Sequence, residues 1–70
     1  MNAMQELSLF DAGYDRAGAD INVLVRAITS AMPRQSRQLA ETMVRAGHGY
    51  RRFEEDALRS GLSERLPYRA

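Results

Sequence analysis

The sequence predicts an all-α protein, namely an antiparallel two-helix hairpin that dimerises into a four-helix arrangement. Three observations predict this fold. Apolar residues recur at helical spacing on both sides of Pro33, and no segment alternates as a strand would. In addition, the 70 residues contain no cysteine, so disulfides cannot stabilise so small a domain. A second subunit is the remaining means of burying enough apolar surface.

The first helix is predicted over residues 4–31. Its apolar residues alternate at steps of three and four, which places them along one face of a helix. The residues of this seam are Leu7, Phe10, Tyr14, Ala17, Ile21, Leu24, Ile28 and Ala31. Gly13 and Gly18 leave an alternative open, in which the helix breaks and Asp20 caps a shorter helix that begins at Ile21. The unbroken phase of the seam favours the single helix.

A tight turn over residues 32–36 and a second helix over residues 37–60 are predicted to follow. Proline disfavours helical geometry in the preceding residue and fits the first turn of a new helix, so Pro33 divides the two helices. Gly61 is the predicted helix stop, and residues 61–70 form a tail within the same single domain. The apolar seam of the second helix consists of Leu39, Met43, Ala46, Tyr50, Phe53 and Ala57.

The register of the hairpin follows from the position of its turn. In a hairpin that turns near residue 33, residues whose numbers sum to about 65 lie at one level. Gly18 is then opposite Gly47, and Tyr14 is close to Tyr50. The apolar stripes are too broad for one hairpin to cover, so a second copy is predicted to pack against it. The residues expected in the core or dimer interface are Leu7, Ile21, Leu24, Ile28, Leu39, Met43 and Phe53.

The length, the absence of cysteine and the two seams resemble the Rop-like helical hairpins that dimerise into bundles, over positions 7–57. In kind, the chain is also similar to the short accessory proteins of temperate phages in GC-rich bacteria. Those include anti-CRISPR proteins and antagonists of transcriptional activators such as quorum-sensing regulators. The shared traits are the length, the absence of cysteine and lysine, and a bare helical scaffold. This resemblance implies a homodimeric inhibitor or adaptor that binds a larger host or regulatory protein, and it assigns no functional residues.

Composition argues against catalysis, cofactors and membranes. The longest largely apolar stretch, residues 21–25, is interrupted by Asn22 and is too short to span a membrane, and the amino end is not expected to be a secretory signal. A cytoplasmic protein is therefore expected, in the host cytoplasm if it is phage-encoded. His48 is the single histidine. Between Gly47 and Gly49 it is expected to be exposed or at a hinge, too mobile for a preorganised base. No enzyme, metal site or cofactor is predicted.

Two charged pairs have alternative interpretations. Asp11 and Asp15 lie one helical turn apart, either as ligands of a cation or, as we prefer, on a solvated acidic face. Arg34 and Arg37 stand at the amino end of the second helix, where positive charge opposes the macrodipole. They are either a tolerated cost of a few tenths of a kcal/mol, the favoured interpretation, or contacts for an acidic partner or a phosphate.

Two groups of aromatic and arginine residues form the predicted partner-binding site, because both residue types are frequent at the energetic centres of interfaces. The first group is Phe10, Tyr14 and Arg16, and the second is Tyr50, Arg51 and Arg52. Positions in the core are the alternative interpretation, which is favoured for Phe10 and Tyr14 and weighed similarly for the second group.

DNA binding is the alternative function. Helices over residues 38–46 and 50–59, with a turn at residues 47–49 between them, would imitate a helix-turn-helix. However, the three acidic residues at 54–56 would repel phosphates from the second of these helices. The net charge of +1 is also far from the strongly basic surface of DNA-binding domains. A small helix-turn-helix regulator or antitoxin is therefore the second hypothesis, with nucleic acid as the less favoured partner.

Overall fold

The computed structural model describes residues 2–61, and these form three helices. They are α1 (Ala3–Asp15), α2 (Ile21–Thr29) and α3 (Arg34–Ser60). No strand occurs among the described residues, so the all-α class is confirmed, but the layout with two helices is wrong. Beyond Gly61, the predicted tail lies outside the described residues.

The single helix predicted over residues 4–31 is interrupted because Asp20 caps a new helix. Its carboxylate accepts hydrogen bonds from the backbone N–H groups of Asn22 at 2.9 Å and Val23 at 3.2 Å. A capping residue has extended rather than helical backbone geometry, so the chain must leave α1 before it reaches this position. The alternative of a shorter helix that begins at Ile21 is the one observed.

Local residue chemistry also sets the start of α1 and both ends of α3. Asn2 and Gln5 form a capping box at the start of α1, in which each side-chain oxygen accepts a hydrogen bond from the other residue's backbone N–H at 3.0 Å. α3 starts directly after Pro33, three residues before its predicted start at 37. It ends at Gly61, whose φ of 79° is left-handed geometry that favours glycine. The predicted helix stop is therefore confirmed.

α1 and α3 run in the same direction. Near the start of both helices, Met4 and Ser36 line one groove. Near the end of α1, the Tyr14 hydroxyl donates a hydrogen bond to Glu54, which lies much further along α3. Contacts that advance together along both helices indicate parallel packing, which differs from the antiparallel arrangement predicted for residues 4–31 and 37–60.

α2 returns antiparallel beside α3. The Asn22 side-chain oxygen accepts a hydrogen bond from Arg45 at 2.9 Å, and the Ala19 carbonyl lies 3.0 Å from His48 Nε2. The residue numbers sum to 67 in both pairs, close to the register predicted for a hairpin that turns near residue 33. α2 and α3 therefore pack antiparallel, whereas the predicted first arm over residues 4–31 is divided between α1 and α2.

α1 and α3 touch through their backbones at Gly13 and Gly47. A Cβ atom on Gly13 would overlap the carbonyl group of Val44, and one on Gly47 would overlap that of Phe10. Only glycine permits so close an approach. Gly18, predicted to lie opposite Gly47, instead has open space around it in the turn after α1. That prediction is wrong because it assumed an antiparallel partner.

The hydrophobic core is small and lies where α2 covers the other two helices. Leu24, Val25 and Val44 are its buried centre, and the largest fully buried side chain is a valine, Val44. Partly buried apolar residues pack around that centre; they are Leu9, Ile21 and Ile28. Of the predicted core or dimer residues, the three that belong to α2 thus lie in or against this core.

We predict that Gly13→Ala and Gly47→Ala each lower the free energy of unfolding by roughly 2 kcal/mol, because overpacking a rigid contact costs more than the added helix propensity returns. Urea denaturation followed by circular dichroism measures the change. Gly49→Ala is the matched control, since Gly49 lies on α3 with nothing near its Cβ position. It should raise stability by about 1 kcal/mol. Equal stabilisation by all three variants would mean that the two helices do not touch there.

Candidate functional site

The two predicted partner-binding groups supply the members of one cluster. The rings of Phe10 and Tyr14 on α1 lie 6.0 and 6.1 Å from the ring of Tyr50 on α3, so the predicted proximity of Tyr14 and Tyr50 is confirmed. The guanidinium of Arg51 lies 5.0 Å from the centre of the Tyr14 ring, within the range of a cation–π contact. We call Phe10, Tyr14, Tyr50 and Arg51 the aromatic–arginine cluster.

Glu54 and Glu55 bind the polar groups of this cluster. The Tyr14 hydroxyl donates a 2.5 Å hydrogen bond to Glu54 Oε1, and Arg51 lies 3.5 Å from the carboxylate of Glu55. The hydrogen bond to Glu54 is the main reason that the pKa of the Tyr14 hydroxyl rises above 10.0. Partial removal from water and the negative charge of Glu54 raise it further, while the positive charge of Arg51 partly offsets the rise.

Arg16 and Arg52 lie outside the contacts of the cluster. Both side chains are exposed. Within residues 2–61 neither side chain makes a hydrogen bond or an ion pair. The structure therefore brings together four of the six predicted partner-binding residues and leaves these two as separate surface charges.

From Leu39 to Phe53, the second seam of the sequence lies on the surface of α3 instead of in the core, with Met43 half-buried, whereas its last residue, Ala57, is buried. Leu39 and Phe53 are 40% and 53% exposed, although both were expected in the core or dimer interface. Because its residues recur at steps of three and four, the seam lies along the side of α3 on which Tyr50 meets Phe10. We call it the α3 stripe, and its residues are Leu39, Met43, Ala46, Tyr50 and Phe53. Leu7, on α1, is also 62% exposed.

His48 is not the exposed or hinge residue that its flanking glycines suggested. Its side chain is 6% exposed, and its Nε2 donates a hydrogen bond to the Ala19 carbonyl, which ties α3 to the turn between α1 and α2. α3 continues through residues 47–49 without a turn. The helix-turn-helix predicted around those residues is therefore wrong. The signal missed was that a glycine in a strongly periodic helix often marks a close packing contact.

Glu54 is a site residue that sequence reasoning assigned only to phosphate repulsion. It lies forty residues after Tyr14, so no local spacing connects the two. Asp11 and Asp15 are exposed. Among the described residues, no group of three or more potential ligand side chains could hold a metal ion. Nor does any helix in that part of the chain combine the length and apolar character that a membrane span needs.

No protein-family model matches this chain, and no curated protein or solved structure was found to be similar to it.

The raised pKa of Tyr14 predicts a titration that absorbance at 295 nm can follow. One tyrosine should ionise above pH 10, and this component should disappear in Tyr14→Phe and return toward the ordinary value in Glu54→Ala. Because the folded state holds the phenol protonated, the stability that the bond contributes is present below pH 10 and is lost as the pH rises through the raised pKa.

Glu55→Ala is the control for this titration, because it removes the neighbouring carboxylate that pairs with Arg51 and leaves Glu54 in place. Tyr14 should still titrate late in that variant. An unchanged tyrosine titration in Glu54→Ala would show that the bond between α1 and α3 does not form in solution.

Proposed function

We propose that this chain is a non-catalytic, cytoplasmic, homodimeric helical protein that binds a larger protein as an inhibitor or adaptor. One observation carries the proposal: the α3 stripe and the aromatic–arginine cluster lie together on one side of α1 and α3, and much of this surface is exposed. A contiguous apolar surface bordered by charged residues is typical of sites of protein–protein interaction.

The small core supports the homodimer. A three-helix fold whose largest fully buried side chain is a valine gains little stability from its own interior. Complete burial of a side chain such as Leu39 or Phe53 contributes about 1.5–3 kcal/mol. Near the middle of the stripe, Ala46 and its neighbours Thr42 and Gly49 are uncharged. That suits a two-fold interface, in which residues close to the axis face their own copies and like charges would repel.

The cluster supports the contact with a larger protein. Tyrosine and arginine side chains supply much of the binding energy in many interfaces. Arg51 is already held by the Tyr14 ring and by Glu55, so it loses less conformational freedom when a partner binds. Arg16 and Arg52 add exposed positive charge beyond the cluster.

The chain resembles small phage-encoded inhibitors in kind, and this resemblance suggests the class of partner. We propose that the partner is a protein of the bacterial host, such as a quorum-sensing transcriptional activator, and that the chain regulates transcription by antagonising it. Binding of the chain to DNA is the outcome that would replace this proposal.

Affinity purification from a bacterial lysate tests the function. The tagged protein should retain one protein in stoichiometric amount, and Arg51→Ala should release it, because that change removes the ordered guanidinium of the cluster. Arg26→Ala is the matched control, since Arg26 is an exposed arginine on α2, and it should retain the partner. Equal retention by both variants, or recovery of nucleic acid alone, would contradict the proposal.

Sedimentation equilibrium tests the homodimer separately from the contact with a larger protein. The wild-type chain should sediment at twice its 7.9 kDa, and Phe53→Asp should sediment as a helical monomer because it places a charge in the stripe. Val23→Asp changes an apolar residue of α2 that is 64% exposed and lies outside the stripe, so it should stay dimeric. A wild-type monomer at tens of micromolar would refute the dimer without bearing on Arg51.

A further inference from the structure

A second apolar surface lies at the end of the molecule where α1 and α3 both begin. It is an open groove with a volume of about 550 Å³, between the first turns of α1 and the turn that precedes α3. Its apolar walls are Met4, Leu9, Met32 and Pro33, and Ser8 and Ser36 supply hydroxyl groups. Phe10 of the aromatic–arginine cluster directly follows Leu9, but the other members of the cluster lie further along both helices.

The groove has a fixed floor and adaptable walls. Leu9 packs against the buried core, so it cannot move without disturbing Leu24 and Val44. Met4 is 78% exposed and Met32 is half-buried. Methionine side chains are flexible and polarisable, and they adapt to apolar side chains of different shape. The groove therefore suits one or two bulky apolar side chains of a partner.

The residues that line the groove are uncharged, but positive groups lie next to it. The parallel arrangement brings the amino ends of α1 and α3, the positive ends of two helix macrodipoles, to the same end of the molecule. Asn2 caps α1, whereas Pro33 offers no side-chain acceptor to the first N–H groups of α3. The first turn of α3 contains Arg34 and Arg37 and no acidic residue. Arg37 is fixed at the rim, because its Nε donates a 3.0 Å hydrogen bond to the Met32 carbonyl.

The positive groups outnumber the negative ones at this end. The carboxyl end of α2 contributes one negative helix end, against two positive helix ends and the two arginines. Glu6 is the one acidic residue in the first turn of α1, and its side chain is half-buried. Two arginines at a helix amino end are unfavourable in the free protein, and an acidic partner would relieve that repulsion.

We propose that this groove binds an acidic amphipathic segment of a partner protein, with apolar side chains among the methionines and a carboxylate beside Arg34, Arg37 and the amino end of α3. The inference extends the proposed binding function by a second surface. The charge around the groove is what selects this occupant, since a basic segment would meet two arginines and two positive helix ends.

Titration of the full chain with two synthetic peptides tests the groove. The first peptide is an amphipathic helix that carries leucine, phenylalanine and glutamate, and the second replaces every glutamate with lysine. The ¹³C-methyl resonances of the methionines report the site. The acidic peptide should shift Met4 and Met32 and leave Met43, on the α3 stripe, unchanged. Arg34→Glu should weaken binding roughly tenfold, as expected when an attractive charge becomes repulsive.

Arg59→Glu is the control, because it makes the same change at an exposed arginine in the last turn of α3. Equal binding of both peptides, shifts at Met43, or no effect of Arg34→Glu would overturn the proposal. A DNA duplex that shifts the methyl resonances of Met4 and Met32 would also overturn it. Shifts of these resonances with protein concentration, in the absence of peptide, would indicate that a second copy of the chain occupies the groove and would overturn it as well. If the peptides fail but Arg51 is still required to capture the larger protein, the groove alone is wrong and the proposed function stands.

Discussion

The close backbone contacts of Gly13 with Val44 and of Gly47 with Phe10 are the constraint on which the rest of the molecule depends. Two helices that meet without side chains between them place the residues on either side of the contact close together, and this brings Phe10 and Tyr14 onto Tyr50. Because α1 and α3 run parallel, the chain needs a returning segment between them, and α2 is that segment. The break after α1 and the cap at Asp20 are thus requirements of the same contact.

This arrangement also decides which surfaces stay open. α2 covers one side of α1 and α3 and buries Leu24 and Val25 there, but one short helix cannot cover both sides. The opposite side keeps the α3 stripe and the aromatic–arginine cluster. The parallel helices also begin together, which collects positive charge around an apolar groove at one end. A fold with so few side chains in its interior therefore carries a large share of its apolar residues as surface, and this is why we infer binding as its function.

Much of the secondary structure could be predicted from the sequence, whereas the direction of packing could not. Proline and glycine chemistry located both ends of α3, and Asp20 was a recognisable cap. The seam over residues 7–31 kept its phase across the turn, so periodicity alone favoured one continuous helix.

Periodicity identifies the apolar face of a helix but says nothing about whether its neighbour runs parallel or antiparallel. For that reason Gly18 was expected opposite Gly47, where Phe10 and Tyr14 lie instead. The hydrogen bond from Tyr14 to Glu54 had no sequence signal. His48 was expected at a hinge because glycines flank it. Residue type singled out the aromatic residues and Arg51, but it could not show that Arg16 and Arg52 lie outside the cluster.

The direction in which α1 packs on α3 is the central claim, and nuclear Overhauser effects between backbone protons test it most directly. In the parallel arrangement, the Hα protons of Gly13 should give cross-peaks to Val44 and His48, whose backbones lie against it. A continuous antiparallel hairpin would instead connect Gly18 with Gly47. Cross-peaks of the second kind, with none from Gly13 to α3, would contradict the fold and the surfaces inferred from it.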